Sequence, residues 1–478
     1  MSGQARFNPA GRAMTARRDG TLLAENAVLL PIMAPRLQGD FKPSGRLELA
    51  VWAGGSLATL STTALTGPFI YSPNRVIATN GSLHVAQTAP VLTLRGARST
   101  RVTPARRAAW WHDAGALPPP VVATDGARRI VTLAWGAIAI VQRGKDLVVA
   151  VGTNADEAIG ALRLTVDQIV AEADAYCRLC DRMPEADPVL RSMVLQGTHA
   201  SLSSIRQDEH GNFAGLAAGQ AYSAPARTYF RDGYWTLQPL LKLRPEAVRD
   251  QIRLLATGIQ PDGEAPSGVI LSGPAQSKAW DAFRRSDKVY AGEHLRPGDW
   301  WSDHFDSPLF FVLTLGDYVH ETGDFDEARR HWSIVKAIVD RYVRASGADG
   351  LPRKPQHDRD WADNVYRGGL VSYDIGLWVG ALDAVVAMGG TLDKALATQA
   401  HELAAKARRN VGALWIDTAG NYADFINLDG FVEDHFALDS LTLLRYDAAP
   451  ADRATEVLLR AAKVLESRNN REQPYGDW

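Results

Sequence analysis

Four loops of this sequence place carboxylates next to aromatic side chains. They read TYFRDGYWT, GDWWSDHFDSP, HDRDWADNVYRGG and, at the end of the 478 residues, NREQPYGDW. We expect polar–aromatic loops of this kind to lead into apolar helices, so all four could open on one rim of a helical barrel. The candidate site residues in these loops are Arg231, Asp232, Tyr234, Trp235, Trp301, Asp303, Asp306, Trp361, Asp363 and Arg367.

This combination of side chains suits the chemistry of a sugar. A pyranose offers hydroxyl groups to carboxylates and a C–H face to aromatic rings. Cleavage of a glycosidic bond requires one carboxylic acid that protonates the leaving oxygen and one carboxylate that activates water or attacks the sugar. Because these steps use carboxyl groups alone, the loops imply an oligosaccharide substrate and neither a cofactor nor a metal.

Each loop also has a purely structural interpretation. Asp232 and Asp306 could be N-caps of the helices that follow them. Asp363 and Arg367 could form a surface ion pair of little energetic value, and the tryptophans could belong to a core. The recurrence of the same residue types in four separate loops favours the functional interpretation.

The composition and the missing motifs exclude several other classes. The sequence is 46% hydrophobic and 22% charged, which is typical of a globular protein. Its net charge of −2 provides no attraction for nucleic acid or an anionic membrane, and its two cysteines cannot build a disulfide framework. Phosphate-loop, dinucleotide-binding, HExxH and GxSxG motifs are absent. With no apolar signal segment and no run of ~18 apolar residues, we expect a soluble, cytoplasmic protein.

The pattern of hydrophobic residues changes along the chain. Residues 1–153 are predicted to form an N-terminal β-sandwich, because short apolar runs alternate with Gly, Pro, Asn and Ser clusters. Residues 154–185 are predicted as a linker helix, and residues 186–478 as a mainly helical catalytic domain. The helices predicted there span 236–257, 308–322, 325–346, 373–389, 393–410, 436–445 and 451–467.

Three segments of the helical part resemble known motifs. WADNVYR at 361–367 keeps the Asp-to-Arg spacing of trehalases, with Ala between Trp and Asp, and is similar to the Trp-Met-Asp-Ala string of debranching enzymes. YFRDGYW at 229–235 resembles the tyrosine-tryptophan-aspartate signature of trehalases and the Arg-Asp-Thr element of debranching enzymes. The segment 301–324 resembles a third element of these enzymes, a polar loop followed by a Ser-Pro step and a helix that ends in Thr-Gly-Asp. On these motifs the sequence resembles the six-hairpin glycosidases, the (α/α)6-barrel group of trehalases, processing α-glucosidases and glycogen-debranching amylo-α-1,6-glucosidases.

The resemblance implies hydrolysis of an α-linked glucoside or related oligosaccharide with inversion. Asp363 would be the general acid, Asp232 would hold sugar hydroxyls in the −1 subsite, and Arg367 would contact a substrate hydroxyl. The remaining aromatic and acidic candidates would form the sugar subsites. Because a general acid must stay protonated near neutral pH, the pKa of Asp363 is expected to be raised by burial or by a second carboxylate.

The catalytic base has no clear counterpart in the sequence. In the resembling families it is a Glu of the last hairpin, downstream of the loop that PYGDW resembles. We therefore expect an (α/α)6 toroid that is incomplete at its C-terminus, with the base beyond Trp478. Glu433, followed by Glu264 and Glu472, is the nearest substitute. The two carboxyls of an inverting pair lie about 6.5–9.5 Å apart.

Other functions stay open at this point. A carbohydrate-binding or structural protein would keep the stacking aromatics without an acid–base pair. A lyase or a phosphorylase could use the same barrel, and a phosphorylase would replace the base with phosphate. The identity of the sugar, its linkage and the oligomeric state are not encoded in these motifs.

Overall fold

The protein was analysed as a computed structural model. The structure describes residues 5–7, 14–16, 22–24, 30–34, 37–42, 45–51, 55–67, 70–72, 74–104, 119–133, 136–152, 154–180, 194, 197–198, 201–202, 204–207, 213–216, 227–270, 304–356, 358–362 and 367–468. The chain divides into two compact units, which we call the sheet unit and the helical unit. The sheet unit contains Met1–Thr228, Thr236–Leu243 and Ile270–Leu295, and the helical unit contains Tyr229–Trp235, Arg244–Val269 and Arg296–Trp478.

The sheet unit contains a larger and a smaller antiparallel sheet. In spatial order the larger sheet consists of β1 (Ala5–Phe7), β2 (Met14–Ala16), β3 (Leu22–Ala24), β8 (Ile70–Ser72), β9 (Arg75–Ala78), β10 (Gly81–Val85), β11 (Val91–Arg95), β16 (Asp146–Gly152), β15 (Gly136–Arg143), β14 (Arg128–Leu133) and β13 (Val121–Asp125). The smaller sheet consists of β12 (Ser99–Pro104), β7 (Gly55–Thr62), β6 (Arg46–Val51), β5 (Leu37–Lys42) and β4 (Leu30–Ala34).

Strand β16 shows why this part of the sequence is almost continuously apolar. Leu147, Val149 and Val151 belong to the cluster of large side chains shared by the two sheets, whereas Val148 and Ala150 belong to a second cluster that includes residues of two helices. A strand covered on both faces has no solvent-facing side, so the alternation of polar and apolar residues disappears. The two described sheets therefore pack as a sandwich, with helices on the outer face of the larger one.

The segment that follows the sandwich forms two helices, where the sequence predicts one linker helix. Helix α1 spans Ala155–Ala161 and helix α2 spans Val166–Cys180. Between them Thr165 and Gln168 form a reciprocal capping box, in which each side chain accepts a hydrogen bond from the backbone N–H of the other residue. This cap starts a new helix, and both helices pack against the larger sheet. The domain boundaries at 153 and 185 stay predictions.

The remaining described elements are mainly helical. The helices are α3 (Phe230–Leu237), α4 (Leu240–Leu243), α5 (Pro245–Ala256), α6 (Ser307–Thr322), α7 (Phe325–Ala345), α8 (Ser372–Leu392), α9 (Lys394–Asn410), α10 (Thr442–Arg445) and α11 (Ala451–Arg468), with 3-10 turns at Val411–Leu414 and Leu438–Leu441. The short strands are β17 (Ile205–Gln207), β18 (Phe213–Leu216), β19 (Arg227–Tyr229), β20 (Gly268–Ile270), β21 (Leu370–Val371), β22 (Trp415–Ile416), β23 (Asn421–Tyr422), β24 (Phe425–Ile426) and β25 (Val432–Glu433).

Four of these helices form two helical hairpins. Helix α6 ends at Gly323, which has a left-handed backbone (φ +72°), and Asp324 caps α7 by accepting a hydrogen bond from the backbone N–H of Glu327. Asp393 caps α9 in the same way directly after α8. Helices α6 and α8 are buried along most of their residues, whereas α7 and α9 each bury one face. The helices predicted for 308–322, 325–346, 373–389 and 393–410 are therefore confirmed in the described residues.

Two helix predictions differ from the structure. The single helix predicted for 236–257 is divided into α3, α4 and α5, because Pro239 and Pro245 cannot donate the backbone hydrogen bonds of a continuous helix. The helix predicted for 436–445 is a 3-10 turn followed by the single turn α10.

One helix of the described residues, α8, has the length and apolarity of a membrane span, with a mean hydropathy of 1.6. Of the window that meets this criterion, 61% is buried inside the protein. Helix α8 contacts α6, α7 and α9, and this burial accounts for its composition.

Candidate active site

A cavity of about 510 Å³ opens in the helical unit. This volume falls in the range of small-molecule sites. Two of its lining side chains, Trp235 and Trp361, are large apolar groups that remain 43% and 38% exposed. The described lining residues are Arg231, Trp235, Trp361, Tyr373, Leu438, Asp439, Leu441, Thr442 and Arg445.

The buried carboxylate of Asp306 fixes the position of Arg231, one of the residues that line the cavity. Asp306 occupies the N-cap position of α6, but its side chain makes no capping hydrogen bond. Instead its Oδ2 accepts hydrogen bonds from Arg231 Nη1 at 2.6 Å and from the Tyr373 hydroxyl at 3.1 Å. The capping interpretation of Asp306 is therefore wrong, and this side chain joins two residues of the cavity wall.

The charge of Asp306 is stabilised in spite of its burial. Burial alone would raise the pKa of this carboxyl, but the Arg231 guanidinium and the His304 ring, whose Nδ1 lies 3.7 Å from Oδ1, outweigh burial and bring the pKa below its usual range. Asp306 correspondingly raises the pKa of Arg231. The pair is ionised at neutral pH, and Asp306 is not a candidate for a protonated general acid.

The loop that carries Trp361 is closed at its base by the backbone. Lys354 and Gly369 exchange two N–H···O hydrogen bonds of 2.8 Å. Gly369 has a φ of +75°, and a Cβ at this position would lie 2.2 Å from the carbonyl oxygen of Ile426, so the turn requires glycine. Phe305 N–H also donates to the carbonyl of Arg359 at 2.8 Å, which ties the loop before α6 to the loop before α8.

Asp360 anchors this loop from the inside. Its Oδ2 accepts from Lys354 Nζ at 2.5 Å and from Arg367 Nε at 2.9 Å, and its Oδ1 accepts from the backbone N–H of Ala362 at 2.8 Å. Burial raises the pKa of Asp360, but the charges of Arg367 and Lys354 outweigh burial and lower it. Asp360 is therefore a buried, ionised carboxylate that holds both ends of the loop.

Arg367 connects Asp360 to two further carboxylates. Its Nη1 lies 2.6 Å from Asp424 Oδ1 and 2.8 Å from Asp439 Oδ2. Its guanidinium carbon lies 5.6 Å from the ring centroid of Trp361, which is within range of a cation–π contact. Arg367 is buried and is not one of the residues that line the cavity.

Trp361 is consequently fixed on two sides. Its indole Nε1 donates a hydrogen bond of 2.5 Å to Asp439 Oδ2, and Arg367 packs over its ring. A ring whose position is fixed before the ligand arrives loses little entropy on binding. This geometry suits Trp361 to stacking against the apolar face of a ligand.

Two other buried carboxyls have raised pKa values. Burial and the nearby charge of Asp360 raise the pKa of Asp374 well above its usual value, and both of its carboxyl oxygens lack a hydrogen-bond partner among the described residues. Burial raises the pKa of Asp424 more than Arg367 lowers it. The helical unit thus contains buried carboxyls with lowered pKa values and buried carboxyls with raised pKa values.

The predicted site residues fall into three groups. Arg231, Trp235 and Trp361 line the cavity. Asp306 and Arg367 lie behind its wall, Tyr234 is buried with its hydroxyl 3.2 Å from that of Tyr446, and Asp232 lies half-buried in the first turn of α3. Because α3 begins at Phe230, Asp232 is inside the helix and is not its N-cap. Trp301, Asp303 and the predicted general acid Asp363 lie outside the described residues.

None of the substitutes for the base lines the described cavity. Glu433 accepts a hydrogen bond from His435 Nδ1 at 2.9 Å, and Glu264 lies 3.8 Å from Arg341. Glu472 lies outside the described residues.

Sequence reasoning missed six of the nine described residues that line the cavity. The residues not predicted are Tyr373, Leu438, Asp439, Leu441, Thr442 and Arg445. Five of them belong to the segment 438–445, where the sequence ALDSLTLLRY has an ordinary helical pattern without the combination of carboxylates and tryptophans that marks the other loops. The described residues contain no cluster of three or more His, Cys, Asp or Glu arranged to hold a metal ion.

Comparison with solved structures places the chain among glycoside hydrolase folds. A bacterial glucoamylase complexed with acarbose aligns with a TM-score of 0.54 and 10% identity, over 95% of this chain and 76% of the glucoamylase. A rhamnosidase from Klebsiella oxytoca with rhamnose bound aligns with a TM-score of 0.47 and 14% identity, over 96% of this chain and 79% of that chain. A GH78 rhamnosidase of Bacillus sp. GL1 aligns with a TM-score of 0.40 and 16% identity, over 55% of this chain and 24% of that chain.

No protein-family model and no curated protein matches the sequence. The rhamnosidase alignments are too weak to support an argument, and the glucoamylase alignment, at 10% identity, defines the fold alone. A glucoamylase is a glycoside hydrolase, so this one alignment confirms the resemblance drawn from the sequence motifs at the level of the fold.

Proposed function

We propose that this protein is a glycoside hydrolase whose substrate binds in the cavity between Trp235 and Trp361. The observation that carries the proposal is the fixed, partly exposed Trp361 ring, which is hydrogen-bonded to Asp439 and lies on the same cavity as Trp235 and Arg231. Aromatic walls with a few polar groups are the combination that a sugar ring requires. The glucoamylase-like fold supports the same class.

The proposed substrate is an α-linked glucoside or a related oligosaccharide, and the proposed reaction proceeds with inversion. Asp363 protonates the leaving oxygen while a water molecule attacks from the opposite face of the sugar ring. Asp360, three residues before Asp363, contacts the described residues on both sides of the acid in sequence, Ala362 and Arg367.

The wider architecture that goes with this function is an N-terminal β-sandwich of residues 1–153, a linker of residues 154–185 and an (α/α)6 barrel from residue 186. The sheets of the sandwich and the hairpins α6–α7 and α8–α9 support this proposal. In an (α/α)6 barrel the loops that enter the inner helices meet at one end, which fits the contact between the loops before α6 and α8.

Release of reducing sugar from a panel of α-linked disaccharides tests the proposal. The wild-type protein is expected to hydrolyse at least one of them, and Asp363→Asn is expected to lose about 10²–10⁴ in kcat. Asp326→Asn, which changes an exposed carboxylate on α7, is the matched control and should leave the rate unchanged. Hydrolysis by Asp363→Asn at nearly the wild-type rate would remove the acid assignment.

A specific observation favours a second candidate, a protein that binds carbohydrate without cleaving it. Asp439 is the one carboxylate among the described residues that line the cavity, and its Oδ2 is already bonded to Trp361 and Arg367. Quenching of tryptophan fluorescence by oligosaccharides, with no turnover in the presence or absence of phosphate, would support binding alone. Turnover that requires phosphate would instead assign a phosphorylase.

A further inference from the structure

The charged groups of the cavity wall differ in how they are neutralised. Arg231 lies 2.6 Å from Asp306, and Asp439 lies 2.8 Å from Arg367. Arg445, by contrast, forms no ion pair with any residue that the structure describes. Arg445 is therefore a cation on the cavity wall with no described carboxylate within ion-pair distance, although the charge of Asp317 acts on the neighbouring phenols of Tyr234 and Tyr446.

Arg445 is nevertheless held in a defined position. Its guanidinium carbon lies 5.2 Å from the ring centroid of Trp235 and 5.5 Å from that of Tyr446. The phenol groups of Tyr234 and Tyr446 lie close enough to interact with it electrostatically. Burial raises the pKa of both phenols, so they are uncharged at neutral pH and do not cancel the charge. Contacts of this kind orient a guanidinium without neutralising it.

A fixed and unneutralised guanidinium selects an anion. Its planar set of N–H donors matches the two oxygens of a carboxylate better than it matches hydroxyl groups. Arg445 packs on Trp235, and both residues line the cavity. A ligand whose anionic group binds Arg445 would therefore place the rest of its structure next to Trp235. A uronic acid has both features, since it is a pyranose that bears a carboxylate.

We propose that the cavity binds an acidic saccharide, a uronic acid residue whose carboxylate pairs with Arg445 beside Trp235. This inference rests on the proposed function, because it names the class of sugar bound at the same site. It adds a residue that determines specificity and that lies outside all four loops from which the site was predicted.

Calorimetric titration of the full chain tests the proposal with three probes: methyl α-glucoside, methyl α-glucuronide and methyl α-glucoside 6-sulfate. The wild-type protein is expected to bind the glucuronide about tenfold more tightly than the glucoside, as for a hydrogen bond between charged groups. Raising the NaCl concentration from 0.05 M to 0.5 M should reduce this preference. Equal affinity for glucoside and glucuronide, or tighter binding of the sulfate than of the glucuronide, would overturn the proposal.

Variants of Arg445 separate its charge from its packing. Arg445→Gln should bind the glucuronide and the glucoside equally, and Arg445→Lys should retain part of the preference. Arg453→Gln is the matched control, because Arg453 lies 4.8 Å from the ring centroid of Trp415 in a similar stacking contact and does not line the cavity. A full preference in Arg445→Gln, or an equal loss in Arg453→Gln, would contradict the role of Arg445.

The outcome is distinguishable from that of the proposed function. Hydrolysis of neutral α-disaccharides without any preference for the glucuronide would leave the glycosidase proposal standing and overturn this one. Binding of the glucuronide through Arg445 without hydrolysis of any saccharide would support this inference and contradict the proposed hydrolysis.

Discussion

The sheet unit and the helical unit bury different kinds of side chain. Among the described buried residues of the sheet unit there are many aliphatic groups and a few polar ones such as Thr93 and His84, but no Asp, Glu, Lys or Arg. The described buried residues of the helical unit include Asp306, Asp360 and Arg367, close to the cavity. Both units have extensive apolar cores, so the difference does not come from a shortage of hydrophobic residues.

This contrast indicates where the chain tolerates an energetic cost. Burying a charge is unfavourable unless it is paired and hydrogen-bonded, and even a paired charge often adds no stability over an apolar replacement. The described residues of the sheet unit avoid that cost, whereas the helical unit accepts it, at Asp306, Asp360 and Arg367 close to the cavity and also at Glu327 on α7. We infer that the buried charges of the helical unit are there to position the site, and that their removal will affect the protein differently from the loss of apolar volume.

The largest effect is expected from Arg367→Met. This change leaves Asp360, Asp424 and Asp439 without their shared cation, and breaking a buried ion pair costs about 3–5 kcal/mol. Because the pKa of Asp424 is raised, protonation of this carboxyl on acidification should reduce the loss. Urea unfolding at pH 7 and pH 4.5 measures both predictions.

Arg329→Met is the control for that substitution. Arg329 pairs with Asp326 on the surface of α7, where the two side chains are 62% and 90% exposed. A surface pair contributes about 0–1 kcal/mol. A similar loss of stability in the two variants would show that the buried cluster has no special importance.

A smaller loss, independent of pH, is expected in the sheet unit from Ile138→Ala. Ile138 is fully buried in the cluster between the two sheets, and deletion of its side chain beyond Cβ should cost about 2–5 kcal/mol. Ile138→Val should cost only about 0.5–1.5 kcal/mol. Because the cluster contains no titratable group, the loss should be the same at pH 4.5 and pH 7. A strong pH dependence in this variant would remove the contrast between the two units.

The helices were predictable because their signals are local. Val335, Ile338, Val339 and Tyr342 repeat at helical spacing, and the prediction of a helix at 325–346 is confirmed by α7. The turn after α6 is also local, since it needs only the glycine in Thr-Gly-Asp. Two predictions were wrong although the local signals are in the sequence. Thr165 and Gln168 have the spacing of a capping box and begin a second helix within the predicted linker helix. Pro239 and Pro245 divide the single helix predicted for 236–257.

The site was only partly predictable because its contacts are distant in sequence. Asp306 has the sequence context of an N-cap, and only its contact with Arg231, 75 residues earlier, shows that the carboxylate is used elsewhere. Asp439 is 78 residues from Trp361, and nothing in its own segment marks it. The aromatic–acidic loops predicted the lining residues Arg231, Trp235 and Trp361. The lining residues of segment 438–445 could not be predicted, because only the tertiary fold brings that segment to the cavity.

The smallest effect, and the one with an unusual sign, is expected from Asp374→Asn on α8. Because burial and Asp360 raise the pKa of Asp374, the contribution of this carboxyl to stability is fully present below the ordinary Asp pKa of 3.8 and is lost as the pH rises through the raised value. The asparagine variant does not titrate, so at pH 8 it should gain on the order of 1 kcal/mol relative to the wild type, or about 2–4 °C in Tm. The gain should vanish near pH 4.

Asp393→Asn provides a control of opposite sign at the other end of α8. Asp393 is half-buried, and hydrogen bonds from Lys336 and from the backbone N–H of Leu396 lower its pKa to about 2. Its contribution is therefore present above the unfolded pKa and is lost as the pH falls toward 2. Asp393→Asn should be less stable than the wild type at pH 8, with a deficit that shrinks on acidification. Thermal melts at pH 4 and pH 8 measure both changes in Tm. If the two variants shift Tm in the same direction at pH 8, the carboxyls of Asp374 and Asp393 do not affect stability with opposite signs. The contrast between the two units then depends on Arg367 alone.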